Sequence, residues 1–271
     1  MGCNCSYIEM GYDDFDIMES LPDGFNEEDI ENVRNRGNEY VNMSVLYSIG
    51  IECQTLATRE FPHSMKKSCF LCINTINPIS KEEKINSIND SIAIAQSFRK
   101  LGYNVYFVIN PVSTVFFSCF RIFLSQTTNS VVLGFFGYTR DVISENKNSN
   151  LLFFNNELIP CSRINDFINA YKVPTSRLLC MFDCSHIKDT NDLPSKSIFI
   201  SDNLPPNTTM ISIEVNEGDP KSQSTEINSQ GYLSFSLCRI FSTNTSITMD
   251  EIENSVNEEV QRFGFHVVRY G

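Results

Sequence analysis

Two apolar runs in this chain end abruptly in residue types that do nucleophilic and acid–base chemistry. Val131-Val132-Leu133-Gly134-Phe135-Phe136-Gly137 leads into Tyr138-Thr139, and Leu178-Leu179-Cys180-Met181-Phe182 leads into Asp183-Cys184-Ser185-His186. Buried strands of an α/β sheet read as such continuous apolar runs, and sites form beyond their carboxyl ends. A serine or thiol nucleophile working with a positioned base is the chemistry these side chains suggest.

Strand geometry limits which of them can cooperate. Successive side chains of an extended strand point to opposite faces, so Cys184 and His186 are expected on one face and Ser185 on the other. Cys184 then reads as a buried thiol, and His186 cannot serve its neighbour Ser185 as a base. His266 could reach in only from the C-terminal segment, where a single histidine is expected to pack or face solvent. Cys69-Phe70-Leu71-Cys72 has the two-residue spacing of a zinc knuckle, but no second pair follows it, and its apolar setting points to the core.

The elements that must position these residues follow from periodicity. Strands are expected over 68–74, 103–109, 130–137, 177–183, 197–200 and 209–215, with helices over 89–101, 115–124 and 164–171. Asn155-Asn156 joins two short runs, 151–154 and 157–159, as a hairpin. Closing helices are expected over 231–241 and 249–263. Such alternation predicts an α/β domain with a mostly parallel sheet of about six strands and helices on both faces.

In that frame the segment Phe182-Asp183-Cys184-Ser185-His186, with Asp192-Leu193-Pro194 following, resembles the nucleophile strand of metacaspases, members of the caspase-like (caspase-hemoglobinase) fold. The register is kept without a gap, and Ser185 stands at the cysteine nucleophile. Upstream, Phe136-Gly137-Tyr138-Thr139 is similar to the strand end that carries the family's general-base histidine, with Tyr138 at that position. Ile88-Asn89-Asp90, and Gln223 with Glu226 ahead of Gly231-Tyr232-Leu233, match further family segments. The resemblance covers about residues 66–245.

The resemblance implies a degenerate catalytic pair. A phenol with a pKa near 10 is neutral at pH 7 and cannot activate a serine hydroxyl. In a well-studied serine protease, losing the nucleophile or its base costs on the order of 10⁶ in turnover, and losing both is little worse. A pseudo-peptidase that regulates or scaffolds active relatives or their peptide substrates is therefore expected. The alternative is an active cysteine-type endopeptidase with rearranged catalytic residues, cleaving after Arg or Lys.

Asp90 and Asp183 correspond to the carboxylates of the family's basic-residue pocket, and bulky Phe136 replaces a small serine there. Residual peptide binding stands beside a structural alternative, in which Asp90 caps its helix and Asp183 accepts backbone hydrogen bonds. Asp192 and Asp166 match part of a calcium-binding cluster. Calcium needs six to eight oxygens, and Asn155, Asn156 and Asn165 stand where acids would be wanted, so no tight site and no required cofactor are expected.

Composition bounds the setting. The 271 residues carry a net charge of −12 with no basic stripe, which argues against nucleic acid, and a monomer is expected. Ten cysteines without signal-peptide features read as reduced, cytosolic thiols. Met1-Gly2-Cys3-Asn4-Cys5-Ser6 satisfies the myristoylation pattern at Gly2, with Cys3 and Cys5 placed for palmitoylation. One myristoyl chain binds bilayers only marginally. From Glu9 to Glu39 eleven carboxylates face only Arg34 and Arg36, so a second acyl chain, not a basic patch, must complete the anchor at the cytoplasmic face of a membrane. Residues 1–62 are read as this acidic, partly flexible arm, with 41–57 apolar enough to pack on the domain, and residues 63–271 as the caspase-like domain.

Overall fold

The computed structural model describes residues 38–56, 60–76, 86–144, 147–155, 157–186, 204–215, 226–227, 230–243, 254–258 and 265–270. Its centre is a sheet whose buried strands are the apolar runs of the sequence. In chain order these are β1 (Ile51–Glu52), β2 (Met65–Ile73), β3 (Asn104–Ile109), β4 (Thr127–Ser144), β5 (Lys147–Phe154), β6 (Glu157–Pro160), β7 (Arg177–His186), β8 (Thr208–Val215) and β11 (Phe265–Tyr270). β9 (Glu226–Ile227) and β10 (Gln230–Gly231) form a separate small ladder. The spatial order is β1-β3-β2-β4-β7-β8-β11, with β5 on β4 and β6 on β5. β1, β3, β2, β4, β7 and β8 run parallel, whereas β11 is antiparallel to β8.

Helices α1 (Asn38–Ile49), α2 (Asn86–Lys100), α3 (Ser113–Gln126), α4 (Ser162–Tyr171) and α5 (Tyr232–Thr243) cover the sheet. α3 and α4 enclose a layer rich in phenylalanine, in which Phe70 stacks on Phe123 at 4.8 Å and Phe116 packs on Phe154 at 4.9 Å. Such pairs add about 0.5–1.5 kcal/mol each beyond the area they bury. The other layer holds Leu71, Phe136, Leu179 and Met181 against Ile94 and Phe98 of α2 and Leu233 and Leu237 of α5. Cys69 and Cys72 are both fully buried but fall in different layers, so their spacing serves packing and gives no shared metal site.

Three expectations change. Part of the segment read as an arm joins the sheet and its helices: Leu46 of α1 is fully buried and β1 pairs with β3. α1 runs alongside α2 in the same direction, since Asn42 donates to Asn89 at 2.7 Å near their starts and Arg99 donates to the Ser48 and Ile49 carbonyls at 2.8 Å near their ends. β4 continues past Gly137 to Ser144, because residues 139–144 find a new antiparallel partner in β5. The C-terminal stretch gives a helical turn only at 254–258 among its described residues, followed by an unexpected strand, β11. The strand expected over 197–200 lies outside the described residues.

The remaining core elements stand within a few residues of expectation. The β5–β6 hairpin forms as read, with Asn155 at φ 46° in the turn, a left-handed conformation that asparagine tolerates.

Candidate functional site

The two strand ends meet. β4 and β7 are adjacent and parallel, and their register sets Phe136 beside Asp183, Gly137 beside Cys184, Tyr138 beside Ser185 and Thr139 beside His186. Residues directly paired in this way share a face, so positions 136, 138, 183 and 185 belong to the α2/α5 side and 137, 139, 184 and 186 to the α3/α4 side.

On the first side, Phe136 is buried against the α2/α5 layer. Its ring lies over Gly134, where an added Cβ would stand 2.9 Å from Phe136 Cε2 and 2.9 Å from Leu71 Cδ2. Gly134 is thus the residue that lets the ring fold down onto the sheet. Tyr138 is 2% exposed and one of the largest fully buried side chains. Position 138 is thus filled by a packed aromatic ring.

Asp183 is engaged by α5. Its Oδ2 accepts the Ser234 backbone N–H at 3.0 Å and the Ser234 hydroxyl at 2.5 Å. Those groups belong to the first turn of the helix, where free N–H groups and the helix dipole favour a carboxylate. The alternative in which Asp183 accepts a backbone hydrogen bond therefore describes it, and the donor lies in α5, distant in sequence. Asp90 does not cap: α2 starts at Asn86, which leaves Asp90 inside the helix, where it is 6% exposed.

On the second side, the Cys184 thiol approaches the Phe135 carbonyl at 3.8 Å and packs against the α3/α4 layer. Burial first, and then the Asp183 carboxylate, push it well above the ordinary thiol range. It is protonated at neutral pH and a poor nucleophile. Beside it, Asn74 reaches over Gly137, where a Cβ would stand 2.9 Å from Asn74 Cβ, and the Asn74 N–H donates to the Phe136 carbonyl at 2.8 Å. His266 sits in β11 opposite Glu214, with β8 between it and β7, so its backbone is about 10 Å from that strand. It is not brought to Ser185.

Asp166 is exposed on α4, and Asp192 lies outside the described residues, as do the lipidation positions Gly2, Cys3 and Cys5. Among the described residues no three His, Cys, Asp or Glu side chains converge as a metal site would require. Sequence reasoning missed Gly134, Asn74 and Ser234. Of these, only Gly134 carried a signal, as a glycine inside a buried strand, which marks a close approach.

The geometry can be set against known structures. The chain matches the Drosophila initiator caspase Dronc with a TM-score of 0.55 over 78% of this chain and 81% of that one, at 12% sequence identity. The protein has a caspase-like α/β fold. No protein-family model and no curated protein matches the sequence. Among the described residues no helix is long and apolar enough to cross a membrane.

Proposed function

We propose that this caspase-fold chain is a pseudo-peptidase. It is held at the cytoplasmic face of a membrane by myristoylated Gly2 together with an acylated Cys3 or Cys5. It regulates or scaffolds active peptidases of related fold, or their peptide substrates. The observation that carries the reading is the pairing of Tyr138, a buried phenol, with Ser185 at the two positions where the resemblance puts a base and a nucleophile. Three further features support it: Phe136 packed over Gly134, Asp183 engaged by Ser234, and Cys184 protonated on the other side of the sheet.

Hydrolysis of fluorogenic Arg and Lys peptides by the full chain, with and without calcium, tests it. The expected result is no turnover above the blank and no labelling of Cys184 by an electrophilic peptide probe. Turnover that disappears in Ser185→Ala, or stoichiometric probe labelling at Cys184, overturns the reading.

A further inference from the structure

Outside the strand-end site, one pair of reactive side chains is brought together from distant parts of the chain. Cys53 follows the two-residue edge strand β1, and Cys119 lies on α3. Both are buried, 1% and 5% exposed. The Cys53 S–H points to the Phe107 carbonyl at 3.3 Å, and the Cys119 S–H points to the Cys53 carbonyl at 3.6 Å. Across this contact the two thiols also perturb each other electrostatically. Cys69 and Cys180, by contrast, are shifted by burial alone.

The contact divides the pair chemically. The interaction with Cys119, and burial, push the Cys53 thiol up, whereas the interaction with Cys53 draws Cys119 down. One member is thus predisposed to be the thiolate and the other to keep its proton, the arrangement that favours stepwise oxidation.

We propose that Cys53 and Cys119 are a redox modification site: on exposure to peroxide they close into a reversible disulfide that clamps the N-terminal segment, α1 and β1, onto α3. The Cys119 thiolate attacks the O–O bond, becoming a sulfenic acid while the departing hydroxide takes up a proton and leaves as water. The Cys53 sulfur then displaces the sulfenic hydroxyl, and its own proton leaves with that hydroxyl as a second water. Two thiols are oxidised and one peroxide is reduced to two waters. A thiol reductant reverses the cross-link by exchange.

The clamp would add a covalent tie to a short edge strand. β1 offers two residue pairs to β3, and one further backbone bond runs from the Cys53 N–H to the Phe107 carbonyl at 2.9 Å. A bond closing a loop of about 65 residues restricts the unfolded chain strongly.

The folded full chain is treated with hydrogen peroxide, its remaining thiols are alkylated, and it is mapped by mass spectrometry without reduction. The expected result is a linked 53–119 peptide that dithiothreitol removes and that Cys119→Ser lacks. The thermal midpoint of the oxidised wild type rises by roughly 5–10 °C, and amide exchange over 46–53 slows at least about tenfold. Because the mapping uses wild-type protein, a variant that folds poorly leaves the test intact. Oxidation that yields only sulfinic or sulfonic acids or other pairings, or a 53–119 link that forms only in denaturant, overturns the site. A link that leaves exchange over 46–53 unchanged overturns the clamp.

Discussion

At the residue scale, packing fills the strand-end site. Tyr138 and Ser185 remain paired across β4 and β7, and Phe136 lies beside them on the same face. On the proposed pseudo-peptidase reading, supplying a base and a thiol alone should therefore fail. A Tyr138→His/Ser185→Cys protein is expected to stay without turnover on Arg and Lys peptides in the same fluorogenic assay, and activity in that double variant would show that Phe136 does not obstruct the site. Gly134 tests the same packing from below. Gly134→Ala places a methyl group against the Phe136 ring and Leu71 inside a filled layer, an overpacking that costs about 1–3 kcal/mol. Urea denaturation should show that loss, and Gly134→Ala/Phe136→Leu should recover part of it. Much of this was legible in the sequence: the apolar runs and their polar ends gave the strand termini, and the resemblance aligned them. The partners of those termini were not legible. Ser234 reaches Asp183 from fifty residues away, and no local pattern records that contact.

Single elements show where reading by pattern succeeds and where it stops. β7 and the helices α2, α3 and α4 carry long apolar periodicity and form close to their expected bounds. β4 runs further than its apolar stretch because residues 139–144 need only a hairpin partner, and the partner lies beyond them in the chain. β1 and β11 were missed for a related reason: two residues define no period, and a terminal strand is recognised by what it pairs with. The α1–β1 junction has a measurable signature. Tyr47 donates to Glu52 at 2.7 Å, and burial, then Glu52, push its phenol up to about 12. An unfolded tyrosine loses its proton near 10. Between about pH 10 and 12 the folded state therefore binds more protons, so this contribution is full below pH 10 and is lost as pH rises through 12. Tyr47→Phe should flatten the fall in urea midpoint over that window. Tyr103 and Tyr106, also raised by burial, keep a residual slope.

For the whole molecule, the proposed anchor makes a direct prediction. Wild-type protein should incorporate a myristate analogue and sediment with membranes, and Gly2→Ala should lose the label and move to the soluble fraction. Unchanged fractionation of Gly2→Ala would refute the anchor. The side-by-side course of α1 and α2 then fixes where the anchored segment joins the domain. α2 follows β2, so its start, and that of α1 beside it, stand at the edge of the sheet where β4 and β7 end. Roughly 36 residues separate Gly2 from Asn38, a span that chain geometry limits to at most about 130 Å. With its far end fixed in lipid, the Tyr138 edge would explore a shallow layer above the bilayer. Encounters with other tethered proteins would then become a search in a plane, and a weak contact surface would suffice where one in free solution would not.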